Sequence, residues 1–189
     1  MDKTLRARPP LIVFLDRDGV ICRYLSDDFT KSWEEFEFLP GAKEALKLLN
    51  QARAKVIIIS NQSGINRGIY PLEALKEIDR EMVKAIAASG GKITASYYCP
   101  HTSEEGCPCR KPGTGLVKKA ISEQRLKLKK SGDYFVGDTE TDIITGHKAG
   151  LVTILVLSGK TVLAKEAKNW AIKPDHIAPD LMGALKYIL

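Results

Sequence analysis

Cysteine, histidine and methionine are scarce in this sequence, at four, three and three among 189 residues. Long apolar runs are scarcer still. The best two, Leu11–Leu15 and Leu151–Leu157, fall far short of the ~20 residues that cross a bilayer, so no membrane partner is expected. The basic first residues lead into a run too short for a signal-peptide core, and it ends on Asp16-Arg17-Asp18 instead of a cleavage site. The expectation is a cytoplasmic protein, where thiols stay reduced and clustered cysteines hold metal more often than they form disulfides. Repeats, low-complexity tracts and linkers are also missing. The length then suits a single domain over 1–189, with residues 1–8 as a flexible tail.

A net charge of +6 invites a nucleic-acid reading. The distribution argues against it. Lys43, Lys47, Lys76, Lys84, Lys118 and Lys119 are scattered over the polar positions of several predicted helices, and there is no arginine-rich arm. Nor is there a basic strand interleaved with aromatics of the RNA-binding kind. A mildly basic surface suits a small polyanionic substrate, with the protein acting as a monomer.

What is present reads as strands alternating with helices. Predicted strands cover Leu11–Leu15, Val56–Ile59, Ser96–Cys99, Asp133–Val136 and Val152–Leu157. The first is apolar on both faces, as the middle of a parallel sheet requires. Helices are predicted from Pro40-Gly41 to about Arg53, Pro71–Ala88, Gly115–Gln124, Thr139–Ala149 and Pro179–Leu189. This pattern predicts an α/β, Rossmann-like three-layer sandwich: a mainly parallel central sheet, helices on both faces, and no large cap insertion. In such sheets ligands sit beyond the carboxyl ends of the strands. Those ends carry Asp16-Arg17-Asp18, Ser60-Asn61, a Cys/His loop with Arg110-Lys111, and Gly137-Asp138.

Asp16 and Asp18 are two residues apart, so in extended chain their carboxylates face one side and demand a cation or a shared proton. Alone, the pair serves equally well as a turn cap. With Asp138 from another strand end it makes an oxygen corner suited to Mg²⁺, to which the Asp18 backbone carbonyl can add. Ser60 offers a hydroxyl for phosphate oxygens, although by itself it reads first as a turn residue. Lys111 precedes Pro112, which biases its backbone to an extended form and helps aim its ammonium. A cation there balances charge on a phosphoryl group.

The stretch "CPHTSEEGCPCRKP" concentrates the scarce residues. Cys99, His101, Cys107 and Cys109 form two pairs of alternate positions, stiffened by Pro100 and Pro108. Three thiolates and an imidazole make a closed, structural Zn²⁺ site. Its role is to fold the loop and aim Arg110 and Lys111. Free or disulfide-bonded cysteines are the plainer alternative, which a reducing compartment disfavours. Cys22 lies outside the set and reads as a packing residue.

"FLDRDGV", "IIISNQ", "RKP" and "FVGDTETD", in this order, resemble the four motifs of the haloacid dehalogenase (HAD) superfamily of phosphotransferases. The resemblance spans about Leu11 to Leu157. It implies a phosphatase with Asp16 as nucleophile, forming an aspartyl-phosphate, and Asp18 as general acid and then base. It further implies Mg²⁺ on Asp16, the Asp18 carbonyl and Asp138, with Asp142 in support and Ser60 and Lys111 steadying the transferring group. The cysteine loop resembles that of the heptose 1,7-bisphosphate phosphatases and of histidinol-phosphate phosphatase domains, and "SNQSGINRG" is closer to the first. That implies hydrolysis of a small phosphorylated sugar, the 7-phosphate of the heptose bisphosphate, as part of carbohydrate metabolism. Asn61, Gln62, Ser63 and Arg110 would bind the substrate. Histidinol phosphate or another small phosphorylated metabolite is the alternative. A DNA 3′-phosphatase and a zinc-stabilised binding module without turnover rank below these.

Overall fold

The computed structural model describes residues 10–26, 28–129 and 132–189. The expected tail over 1–8 lies outside the described residues. Among these residues six strands form one sheet: β1 (Ile12–Leu15), β2 (Lys55–Asn61), β3 (Ala95–Cys99), β4 (Tyr134–Gly137), β5 (Val152–Val156) and β6 (His176–Ala178). Their order is β3-β2-β1-β4-β5-β6, and every neighbouring pair is parallel. Among the described residues five α-helices accompany the sheet: α1 (Ala42–Gln51), α2 (Leu72–Ala88), α3 (Gly115–Glu123), α4 (Glu140–Lys148) and α5 (Leu181–Ile188).

The two faces of each central strand explain the layering. Val13 and Leu15 on β1 and Val56 and Ile58 on β2 point to one side, where they pack on Leu46 and Leu49 of α1, Met82 and Ile86 of α2, and Leu181 and Leu185 of α5. Ile12, Phe14, Ile57 and Ile59 point to the other, against Leu116 and Val117 of α3. α4 joins this second layer: Gly146 packs on Phe135, and Ile143 packs in a small cluster with Leu155. Side chains alternating on strands buried on both faces require such a double covering. The predicted three-layer sandwich is what forms.

Two elements differ from the sequence reading. β2 runs on through Ser60 and Asn61, because both still pair with β3, at Tyr98 and Cys99. β6 falls in the segment read as a loose tail. It is three residues long and pairs with β5 through His176 opposite Ile154. Three residues are too few to show a periodicity.

From β1 the chain proceeds outward to β2 and β3, then returns to the other side of β1 for β4, β5 and β6. The switch of direction lies between β1 and β4, which opens a crevice beyond their carboxyl ends. Asp16 follows β1 and Asp138 follows β4, so topology sets them side by side; the Asp16 amide donates to Val136 O at 3.0 Å. Among the described residues no helix is long and apolar enough to cross a membrane.

Candidate active site

A cavity of about 900 Å³ opens at these strand ends, and its wall includes Asp16, Asp18, Ser60, Arg110, Lys111 and Asp138. Asp142, in the first turn of α4, lies beneath it, fully buried. Asp16, Asp138 and Asp142 each bring a carboxylate oxygen within 4.8 Å of the others. Lys111 Nζ sits 2.8 Å from Asp16 Oδ2 and 2.6 Å from Asp142 Oδ1, and donates to Ile59 O at 2.9 Å.

Three carboxylates against one ammonium leave two negative charges in a buried space, and their acidities respond. Burial pushes Asp16 up to about 6, helped by the Asp142 and Asp18 charges and opposed by Lys111. Burial also pushes Asp138 well up, with Asp142 and Asp16 adding to it, against the Lys160 amide that donates to its Oδ2 at 2.6 Å. Lys111 moves the other way from a buried lysine: desolvation lowers it, but Asp142 and Asp16 outweigh this and raise it. A hard divalent cation with oxygen preference fits this corner in charge and in donor type.

Local structure holds each group. Asp138 packs against Gly19 and Gly159, where an added Cβ would collide with its carboxylate. Asp142 and Thr139 form the capping box of α4: the Thr139 amide and hydroxyl donate to Asp142 Oδ2 at 3.0 and 2.6 Å. Asn61 clamps the backbone of Lys111, accepting from its amide at 3.0 Å and donating to its carbonyl at 3.2 Å.

The sequence reading needs refinement at three residues. The carboxylate of Asp18 does not join the acidic group, because the chain turns at Gly19 and Arg17 captures it at 2.9 Å. Gln62 lines the cavity, but its amide is committed: Nε2 donates to Asp18 Oδ2 and Ser60 Oγ, and Oε1 accepts from Arg17 and Tyr70. Asn61 likewise spends its amide on Lys111. Ser63 and Arg110 line the cavity as expected, with Arg110 Nη1 donating to His101 O at 3.0 Å.

Residues 22–33 carry no recognisable pattern, yet Tyr24, Leu25, Asp28, Phe29 and Thr30 form one wall of the cavity. Trp170 and Lys160 also line it. Arg17 was also missed. The signal available was an arginine directly after a strand buried on both faces, where a charge has to find partners.

The four residues Cys99, His101, Cys107 and Cys109 converge beside the cavity. Cys109 Sγ lies 3.2 Å from each of Cys99 Sγ, Cys107 Sγ and His101 Nδ1. Cys99 Sγ is 3.5 Å from His101 Nδ1 and 3.6 Å from Cys107 Sγ. All four thiols of the chain are free. A tetrahedral zinc with Zn–S of ~2.3 Å needs sulfur–sulfur edges of about 3.8 Å, so this cage fits the ion with a slight expansion. Around Cys107, burial raises the thiol, but hydrogen bonds from Cys109, the Arg110 amide and Cys99 outweigh it and bring it down to about 7.

Comparison with known proteins places this geometry among phosphatases. Residues 108–184 match the family model described as HAD-hydrolase-like. The D-glycero-beta-D-manno-heptose-1,7-bisphosphate 7-phosphatase of Pseudomonas putida is 38% identical over 149 residues, 79% of this chain and 83% of that protein. The D-glycero-D-manno-heptose-1,7-bisphosphate 7-phosphatase of Chlorobaculum tepidum is 33% identical over 189 residues, 94% of each. Among solved structures, the D,D-heptose 1,7-bisphosphate phosphatase from B. bronchiseptica, complexed with magnesium and phosphate, superposes with a TM-score of 0.85. It is 32% identical over 94% of this chain and 97% of that one.

Proposed function

The chain belongs to the haloacid dehalogenase-like hydrolases and is a phosphatase of that family, and we propose that it removes the 7-phosphate of D-glycero-D-manno-heptose 1,7-bisphosphate. One observation supports the assignment of roles above the rest. Of the three clustered carboxylates, Asp16 is the most exposed, its side chain at 12% against 0% for Asp142, with Asp138 1% exposed as a residue, so Asp16 is the one best placed to meet a phosphorus atom in the cavity.

In the first step an Asp16 oxygen forms a bond to phosphorus while the bond to the sugar oxygen breaks, and the proton of Asp18 passes to that leaving oxygen. In the second, water attacks the phosphorus of the aspartyl-phosphate and gives a proton to Asp18. Phosphate leaves and Asp16 is restored. Lys111 holds Asp16 in place and offsets charge on the transferring group, and Ser60 offers its hydroxyl to the phosphoryl oxygens. Magnesium would be held by Asp16, Asp138 and the Asp18 carbonyl, with Asp142 in support. When bound it supplies the positive charge that relieves repulsion between carboxylate and phosphate.

Arg110 and Ser63 face the rest of the substrate, with Arg110 suited to its second phosphate by a forked guanidinium. Asn61 and Gln62 serve indirectly, through Lys111 and Asp18. Cys99, His101, Cys107 and Cys109 would hold zinc, which fixes the loop that carries Arg110 and Lys111. A cytoplasmic setting suits reduced thiols, and we read the chain as acting as a monomer. We read 1–189 as one catalytic domain.

Phosphate release from heptose 1,7-bisphosphate, fructose 1,6-bisphosphate, histidinol phosphate and a 3′-phosphorylated oligonucleotide tests the substrate. The highest kcat/KM is expected for the heptose bisphosphate. A preference for histidinol phosphate or the oligonucleotide would refute this choice.

A further inference from the structure

Asp18 is held by three side chains: Arg17, Gln62 and Cys22, whose thiol donates to its Oδ1 at 3.4 Å. Arg17 Nη2 donates to its Oδ1 at 2.9 Å, and Arg17 Nε lies 3.3 and 3.2 Å from Oδ1 and Oδ2. Gln62 Nε2 donates to Oδ2 at 2.7 Å. Gln62 is fixed in turn: its Oε1 accepts from Arg17 Nη2 at 3.0 Å and from Tyr70 OH at 2.6 Å. Arg17 is 1% exposed and Gln62 2%, whereas the side chain of Asp18 is 24% exposed and reaches the cavity.

The geometry points to Arg17 and Gln62, braced by Tyr70, as a positioning clamp that orients the Asp18 carboxylate for proton transfer to and from the cavity. This rests on the role assigned to Asp18 above. A carboxylate offers about four acceptor positions. Arg17 and Gln62 approach from the protein side in two directions, joined by the Cys22 thiol, which stops rotation of the group while its exposed part faces the cavity. A guanidinium does this better than an ammonium because its planar fork fixes an angle as well as a distance. Burying an arginine is costly, and its remaining nitrogen gains nothing in return: Arg17 Nη1 is buried without a hydrogen-bond partner among the described residues.

The clamp has a signature that a purely structural role lacks. Phosphorus–oxygen cleavage needs the Asp18 proton when the leaving oxygen is an alkoxide, and hardly needs it for p-nitrophenolate, a stable anion. The test compares kcat/KM, which reports only steps through formation of the phosphoenzyme, for a sugar phosphate and for p-nitrophenyl phosphate. A positioned acid contributes ~10²–10⁴-fold. The ratio of sugar phosphate to aryl phosphate should therefore fall about a hundredfold in Arg17→Met and about tenfold in Arg17→Lys, on the same scale. Tyr70→Phe, which keeps the packing and loosens only Gln62, should lower the ratio a few-fold. Asp18→Asn provides the benchmark for complete loss. If Arg17→Met does not fold, Arg17→Lys and Tyr70→Phe carry the test, with melting temperatures near that of the parent required of both. Ratios unchanged from the parent in the folded variants, or a ratio that rises, would overturn the clamp. Full activity of Asp16→Asn would instead overturn the underlying phosphatase mechanism, whatever the ratios show.

Discussion

Lys111 is the residue on which the acidic corner depends. It is buried between Asp16 and Asp142, and its removal strands two carboxylates in a low-dielectric space. Breaking a buried ion pair from one side costs about 3–5 kcal/mol, so Lys111→Met should lower the stability of the metal-free protein by that order in urea unfolding and abolish turnover. Asp16 gives a pH dependence with a definite sign. Burial lifts it from 3.8 to about 6, so the folded, metal-free form binds more protons than the unfolded chain between those values. This group therefore destabilises the fold above pH 6, and its strain fades as pH falls toward 4. Magnesium must displace the protons held by Asp16 and Asp138. The rise in melting temperature on adding Mg²⁺ should accordingly be large at pH 7.5 and small at pH 5; an equal rise at both would show that the ion binds elsewhere.

The elements of the site differ in what the sequence makes visible. Strand ends were legible: Asp16, Ser60 and Asp138 each follow an apolar run, and topology then brings them together. The cysteine loop was legible because scarce residues cluster at alternate positions. What stayed hidden depends on contacts that no local pattern encodes. Gln62 and Asn61 look like pocket residues in the sequence, yet Gln62 is spent on the Asp18 side chain and Asn61 on the backbone of Lys111, a fact set by pairing across β2 and the loops. The wall of Tyr24, Leu25, Asp28, Phe29 and Thr30 comes from irregular backbone, flanked by an isolated bridge between Cys22 and Phe38 and by the stacked rings of Trp33 and Phe36. Irregular backbone has no periodicity to read. Two element-scale outcomes follow. Stripping zinc, or Cys109→Ser, should lower the melting temperature and raise KM through the displaced Arg110, while EDTA followed by excess Mg²⁺ should restore turnover wherever zinc is retained. Gly159→Ala should weaken Mg²⁺ activation by crowding Asp138, and unaltered activation would mean that the loop after β5 yields freely.

At the scale of the whole molecule, the sheet order decides where chemistry can occur. A chain that winds from β1 outward in both directions leaves one crevice, and the two strands beside it end in Asp16 and Asp138. The helices bury both faces of the sheet and contribute Asp142 from the first turn of α4. The zinc-type cage and the segment after Asp18 close the crevice from two sides without an inserted cap among the described residues. The fold thus supplies a buried, electrostatically unbalanced corner opening on a cavity of about 900 Å³, large enough for a sugar bisphosphate. The central claim is that phosphorus passes through Asp16. Rapid acid quenching of the protein during turnover, followed by mass mapping of its peptides, tests this most directly. A phosphoryl group on Asp16, absent in Asp16→Asn, is the expected result; a phosphoryl group on any other residue would contradict it.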